Sequence, residues 1–469
     1  MSEVSDKDYV STTMLAKSIQ LKGPDLAELL LTNGWTYIEG KHRLLTDKGL
    51  TNGGQYKLNE KGEKWVIWPL SITNSSLFQN EILGTLTQVK RKFKLPGVDE
   101  LNKDQKRVLR LPENGQFLIV GGPGTGKSVV ALLRTMKYHQ NNDYAFLTFN
   151  KVLLTATKQL VDFSLNSFTL DSWLGKAYWK VFKEYVPDIT YRKPDYDKVM
   201  KELEAKGIKE KSYHIIIDEG QDKPTKFYET LMYFGLENFF IVADQNQQIT
   251  EDNSSRQELT DILGLDVADV IELKENYRNS HPIGLLSNSF FTDPSSPPPE
   301  LPSRTRASLG TPILYEYSDY KDCANLILRE ADRDNRNLIG VVVANDDTRE
   351  AYVNLLEKTE INLDNPKPII STYFAEDKKV PNINFAYSGV VVLNDKSIKG
   401  LEFDIVFIVV DGFQIHNNDL DSIKKRFYVM SSRAIKKLVL LQSDQYKGSI
   451  EEILPKEDNI LTRKRLHNG

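Results

Sequence analysis

A single cysteine, Cys323, stands among 469 residues, too few for an internal disulfide or for a cysteine-built zinc or iron–sulfur site. No apolar run approaches the roughly 20 residues of a membrane-spanning helix. The first ten residues, MSEVSDKDYV, lack the basic and apolar stretches of a secretory signal, so a cytoplasmic protein with no membrane partner is expected. Neither sign of charge dominates: 61 Lys and Arg stand against 65 Asp and Glu, for a net charge of −4. Whole-chain charge therefore does not advertise a nucleic-acid binder, although such a sum can hide local basic surfaces. The rest of the composition, 40% hydrophobic and 27% charged, is that of an ordinary globular protein long enough for two to four domains.

Against these absences stands one strong signal. Gly121-Gly122-Pro123-Gly124-Thr125-Gly126-Lys127-Ser128 matches the loop whose backbone N–H groups wrap nucleotide phosphates. A strand-like run, Phe117–Val120, precedes it and a helix-like run, Ser128–Leu133, follows, so a helix N-terminus adds its dipole to the phosphate site. In such a loop the lysine charges the β- and γ-phosphates and the hydroxyl takes a Mg²⁺ position, which assigns Lys127 and Ser128. About ninety residues on, the strand-like His214–Ile217 ends in Asp218-Glu219-Gly220-Gln221-Asp222. Asp218 is placed to hold Mg²⁺, and Glu219 is the candidate base that orients an attacking water. The cofactors expected from these residues are a nucleoside triphosphate and Mg²⁺.

The chain divides by pattern into five stretches. Residues 1–70 carry two helical patterns, around Met14–Ile19 and Leu26–Leu30, then β-like pieces at Trp35–Ile38, Gln55–Leu58 and Trp65–Trp68. Helix, turn, helix and hairpin resemble a winged helix-turn-helix, used either on nucleic acid or for protein contacts. Residues 71–100 read as a connector with a basic cluster, Lys90–Lys94, suited to a solvated face or to phosphate. Residues 101–280 alternate strand and helix patterns, with a short Lys-, Glu- and Tyr-rich insertion of helical character at about 174–212. The proline-rich Asp293–Pro299 reads as a loop near the start of a second α/β unit, residues 281–450. Residues 451–469 read as a C-terminal tail.

The order of these motifs resembles superfamily 1 helicases of the UvrD/Rep type from about Leu101 to Leu441. The resemblance implies an α/β fold of two RecA-like P-loop NTPase domains with parallel sheets, beside a small N-terminal α+β winged-helix-like domain. Asp218–Asp222 is similar to the family's second motif. Leu101–Gln105 looks like its Q motif, which implies that Gln105 reads adenine. Ala243–Ile249 resembles motif III, with Gln247 sensing the γ-phosphate. Glu275–Arg278 resembles motif IV, with Tyr277 stacking on the base and Arg278 contacting the γ-phosphate. Lys399–Asp404 looks like motif V, with Glu402 near the sugar, and Tyr428–Ala434 like motif VI, with Arg433 as arginine finger. Phe149-Asn150-Lys151 and Ser167–Trp173, including Thr169, Ser172 and Trp173, resemble the strand-binding motifs Ia and Ib. For Phe149 and Trp173, core packing is as good a reading as base contact.

Three departures bound that reading. Ile249–Asn253 lacks the aromatic pair that stacks on single strands in the family, Ala243 stands where glycine is usual, and both insertions are short. The expectation is an ATP-dependent single-strand translocase, with DNA as the track and a 3′ to 5′ direction as the resemblance implies. A nuclease or other protein partner, in DNA repair or anti-phage defence, would complete it. The alternatives are a slow-turnover nucleic-acid-binding ATPase switch and an RNA helicase.

Overall fold

The computed structural model describes residues 9–466 except 20, 41, 59–61, 63, 79–81, 83–88, 92–93, 139–142, 162–163, 192, 210, 245–252, 267–268, 293–298, 306, 375–380, 416–418 and 447. Gln247, Lys92 of the basic cluster and most of the proline-rich loop thus lie outside the described residues.

The N-terminal module begins with β1 (Tyr9–Ser11), helices Thr12–Ser18 and Gly23–Thr32, and a hairpin of β2 (Thr36–Glu39) and β3 (His42–Leu45). A short helix, Asp47–Thr51, leads to β4 (Gln55–Leu58) and β5 (Lys64–Pro69). The antiparallel order β1-β5-β4 draws the chain's first strand into the same sheet as the final hairpin. Its core is aromatic: Trp35 packs on Trp68 and Phe78 with ring centroids 5.9 Å apart. Phe78 and Ile82 belong to that core, so the module's packing extends past residue 70, where its sequence pattern ended.

The connector expectation also changes at Val89–Arg91. The Val89 N–H donates to Ser388 Oγ at 2.9 Å, the Arg91 N–H to the Ala386 carbonyl at 2.8 Å, and the Arg91 guanidinium pairs with Asp404 at 2.9 Å. Arg91 is therefore neither on a solvated face nor open to phosphate. The connector is stitched to the second α/β domain before Leu95 packs into the first.

The first α/β domain holds β6 (Gln116–Gly121), β7 (Tyr144–Thr148) and β8 (Ser167–Thr169), an inserted hairpin of β9 (Asp188–Thr190) and β10 (Lys193–Pro194), then β11 (Lys211–Ile217), β12 (Leu236–Ala243) and β13 (Ile271–Leu273). Its sheet is parallel throughout, in the order β13-β6-β12-β11-β7-β8. Ile215, Ile217, Phe239 and Ile241 pack on one face, and Ile216, Phe240 and Val242 on the other. Burial on both faces is why these strands read as unbroken apolar runs. The insertion, expected to have helical character, carries the β9–β10 hairpin between helices Leu170–Phe182 and Tyr196–Lys206.

The second domain contains β14 (Ile313–Tyr317), β15 (Leu338–Val343), β16 (Ile370–Thr372), β17 (Gly389–Asn394), β18 (Phe403–Val409), β19 (Ala434–Ser443) and β20 (Thr462–Arg465). They form a second parallel sheet, β16-β17-β15-β18-β19-β14-β20. The fold is thus α/β, two RecA-like domains with parallel sheets beside a small α+β module. The stretch 451–469 is corrected by β20, because Leu461, Ile453 and Leu454 are buried in the second core and β20 pairs with β14. Its TRKR sequence hid this, since an edge strand needs no apolar alternation. Helix His281–Ser289 packs on helix Leu420–Ser431, with Phe290 and Phe427 ring centroids 5.5 Å apart. Among the described residues no helix is long and apolar enough to cross a membrane.

Asp404 is the acceptor on which this docking depends, taking bonds from Arg91, Lys436 and the Leu338 N–H. Asp404→Ala leaves a buried guanidinium uncompensated, so a loss on the order of 3 kcal/mol is expected. Chemical denaturation of the parental and variant chains measures it.

Candidate nucleotide site

Strand register builds the site. β6, β12 and β11 are adjacent, with Ala243 opposite Val120 and Ile241 opposite Ile217. Their C-terminal ends therefore release the loop Gly121–Ser128, Asp244 and Asp218 side by side, the edge where open α/β sheets bind ligands. Lys127 opens the helix Lys127–Tyr138 and its ammonium donates to the Gly121 and Gly122 carbonyls at 2.7 and 2.8 Å. Asp244 Oδ2 lies 3.5 Å from the same nitrogen. Thr125 Oγ1 donates to the Gly122 carbonyl and keeps the loop curled. Gly124 has φ +73° and a Cβ there would stand 2.3 Å from Asn276 Oδ1, so only glycine fits.

A cavity of about 290 Å³ opens above the loop, between the two domains. Pro123, Gly124, Gly126, Lys127 and Ser128 line it from the first domain together with Gln105 and Glu219. Tyr277, Arg278, Gly400, Glu402 and Arg433 line it from the interdomain segment and the second domain. Arg278 Nε pairs with Glu402 at 3.0 Å. The Gln105 amide is engaged at both ends: Nε2 donates to the Thr125 carbonyl at 2.9 Å and Oε1 accepts from the Asn102 N–H at 3.0 Å. The Tyr277 hydroxyl accepts from Asn102 Nδ2 at 2.8 Å, and its ring is 38% exposed at the cavity.

Arg433 is buried, with Nε donating to the Val429 carbonyl at 2.8 Å. Burial, then repulsion from Arg278, lowers its pKa to about 10, against the opposing pull of Glu219 and Asp244. An anion in the cavity would relieve both effects. Glu219 sits in the left-handed region at φ +61°, one of two such non-glycine residues among those described. Burial alone would raise its pKa, but the charges of Lys399, Lys127 and Arg433 and a hydrogen bond from Gln221 carry the net shift downward, so it stays ionised.

Asp218 behaves oppositely. Burial, then the neighbouring Glu219 charge, raises its pKa, while the Ser128 hydroxyl and Lys127 oppose them. Its Oδ2 is buried without a hydrogen-bond partner. An unsatisfied carboxylate oxygen beside a hydroxyl at a phosphate loop is a donor set that fits Mg²⁺. Asp218 and Ser128 are the residues that would hold it, and the cation would offset phosphate charge.

A buried ion cluster, invisible in the sequence, joins the domains. Lys399, fully buried, contacts Asp222 Oδ1 at 2.6 Å and Glu219 Oε2 at 3.8 Å across the domain boundary. Both residues fall inside motifs that were noticed, but nothing in the sequence pairs residues 177 positions apart. Gln221 was also missed; it bonds Glu219 and accepts from the Asp244 N–H at 2.9 Å.

The expected strand-binding residues are placed differently from one another. Asn150 and Thr169 cap helices Lys151–Gln159 and Leu170–Phe182, and Ser172 is exposed beside Thr169. Lys151 is half-buried at the first of those helices. Phe149 lies 5.6 Å from the Lys399 ammonium, and Trp173 packs edge-on against Phe234 at 5.9 Å. Elsewhere, Glu113, Asp143 and His214 bring ligand atoms within 4.8 Å of one another at the opposite end of the first sheet, where burial lowers the histidine pKa.

No family model and no curated protein matches this sequence. Among solved structures, the chain is similar to the C-terminal domain of a possible DNA helicase from Lactobacillus plantarum WCFS1, at 15% identity and TM-score 0.28, over 40% of this chain and 98% of that one. It is also similar to the helicase of PRRSV, at 11% identity and TM-score 0.35, over 86% of this chain and 64% of that one. Likeness this distant assigns no residue.

Because Asp218 holds its proton to higher pH than an ordinary carboxyl, a cation must displace that proton to bind. Mg²⁺ affinity in the presence of a non-hydrolysable ATP analogue should therefore fall as pH drops from about 8 to about 6. Asp218→Asn should bind weakly with little pH dependence. Isothermal titration at the two pH values reads both.

Proposed function

We propose that this chain is an ATP hydrolase whose two RecA-like domains close on nucleotide to drive movement along a single nucleic-acid strand. The observation that carries the reading is the convergence on one cavity of the phosphate loop and Glu219 from one domain with Glu402 and Arg433 from the other. Lys127 and the loop N–H groups hold the phosphates. Glu219, kept ionised by its cationic neighbours, orients the attacking water. Arg278 and Arg433 compensate the charge that develops on the transferred phosphoryl group. Arg433 reaches the site only when the domains are together, so hydrolysis and domain separation are coupled.

The finer reading is a superfamily 1 motor of UvrD/Rep type, cytoplasmic, moving 3′ to 5′ on DNA and working with a protein partner in repair or anti-phage defence. The N-terminal module would act as a winged-helix-like adaptor, a reading supported by its helix pair and the β4–β5 hairpin that follows in the β1-β5-β4 sheet. A slow ATPase switch is favoured by one feature, the absence of an aromatic at Ile249–Asn253.

Steady-state ATPase of the full chain, alone and with single-stranded DNA, duplex DNA or single-stranded RNA, tests the proposal. A large rise with one single strand supports a motor and names its track; a flat slow rate with all three overturns the stand-alone motor. Lys127→Ala should abolish binding or turnover. Glu219→Gln and Arg433→Ala should bind nucleotide yet lose at least ~100-fold in rate, and Glu219→Gln turning over at the parental rate would remove it as the base.

Lys399 supplies a pH test. Its charge holds the Glu219 pKa down, so Lys399→Met should raise that pKa and move the acid limb of the pH–rate profile toward neutrality. The same change should cost about 3–5 kcal/mol of stability, because it strands two buried carboxyls.

A further inference from the structure

The first domain exposes a run of side chains that the nucleotide site does not use. Along the helix Leu170–Phe182, Ser172, Lys176, Trp179 and Lys180 face solvent, and Lys183 follows at its end. These positions recur at three- and four-residue spacing, so they lie along one side of the helix over roughly 16 Å. Lys183 then adopts the left-handed conformation, φ +61°, and turns the chain sharply. That turn brings Tyr185 back onto Trp179, with ring centroids 5.3 Å apart. Trp179 is nevertheless 45% exposed and Tyr185 87% exposed. Isolated exposed aromatics are ordinary, but a paired tryptophan and tyrosine left open to water and held by a backbone conformation that lysine rarely adopts is not.

The lower end of the same helix borders an open cleft of about 410 Å³, lined by Lys158, Ser164, Asn166, Ser167, Ser172 and Lys176. Two cations among hydroxyls and an amide suit a phosphodiester, which needs charge and hydrogen-bond donors together. From Ser172 to Lys193 the sequence holds Lys176, Lys180, Lys183, Arg192 and Lys193 against only Glu184 and Asp188. The exposed apolar residues of the N-terminal module, Tyr37, Ile38, Leu58 and Trp65, have no such surplus, since residues 1–70 contain equal numbers of basic and acidic side chains.

We propose that the Lys158–Lys176 cleft and the Trp179–Tyr185 pair form a single-strand track, the lysines holding phosphates and the two rings stacking on bases. This supplies the stacking surface missing after Ala243, and it rests on the reading of the chain as a nucleic-acid motor. Stacking on aromatic rings is sequence-tolerant, as a motor track requires.

The test uses the full chain and fluorescence anisotropy with a labelled oligothymidylate and an abasic oligonucleotide of equal length. Binding of a fluorescent ATP analogue checks that each variant is folded. The Trp179→Ala/Tyr185→Ala variant should bind oligothymidylate about tenfold more weakly, with abasic binding within about twofold of parental. Lys176→Ala/Lys180→Ala should weaken both ligands and flatten the salt dependence. If the parental chain binds oligothymidylate and the aromatic variant binds it equally well, the track is overturned while the motor reading stands. If the parental chain binds the ATP analogue but neither oligonucleotide, the track and the motor reading fail together.

Discussion

The charge of Lys399, fully buried between two domains, is the constraint around which the rest of the molecule is arranged. An ammonium in that position persists only if carboxylates meet it, and Asp222 and Glu219 do so from the opposite domain. The same contact depresses the pKa of Glu219 in a place where burial would raise it. Asp218, one residue away and without such a partner, is pushed the other way. Two adjacent carboxyls thereby acquire opposite tendencies from their surroundings alone, one ready to remain ionised and one ready to exchange a proton for a cation.

The apolar packing reinforces the alignment that this ion cluster requires. Val152, Leu153 and Ala156, on a helix of the first domain, are buried in the core of the second. Gln159 on that helix exchanges hydrogen bonds with Ile383 and Phe385. Gly400 is pressed against Leu153 so closely that a Cβ would come within 2.6 Å. The connector closes on the same segment, Arg91 donating to the Phe385 and Ala386 carbonyls and pairing with Asp404, the latter in the same short stretch as Lys399, Gly400 and Glu402. One stretch of chain, residues 399–404, thus joins the nucleotide cavity, the domain boundary and the tether of the N-terminal module. A change at the phosphates has a short physical route to each of them.

Much of the fold was legible because its strands are buried on both faces and so declare themselves as apolar runs. The phosphate loop was legible because its chemistry demands glycines and a lysine at fixed offsets. Edge elements were not: β20 is TRKR, and the β9–β10 hairpin is exposed and mixed in character, so neither carries a periodic signal. The expectations for strand contact were uneven for a related reason. Asn150 and Thr169 match a recognition pattern and also a helix cap, and residue type alone does not separate the two uses.

The sequence by itself determined a nucleotide loop, two α/β units and the order of motifs between them, since local spacing and hydrophobic period are properties of neighbouring residues. Only the tertiary structure decided which charges share a buried space, that Arg91 serves the second domain, that Thr462–Arg465 join a sheet, and that Trp179 and Tyr185 stand together in solvent. Those outcomes depend on distances between residues far apart in the chain. Such distances are fixed by packing and desolvation, which no single segment encodes.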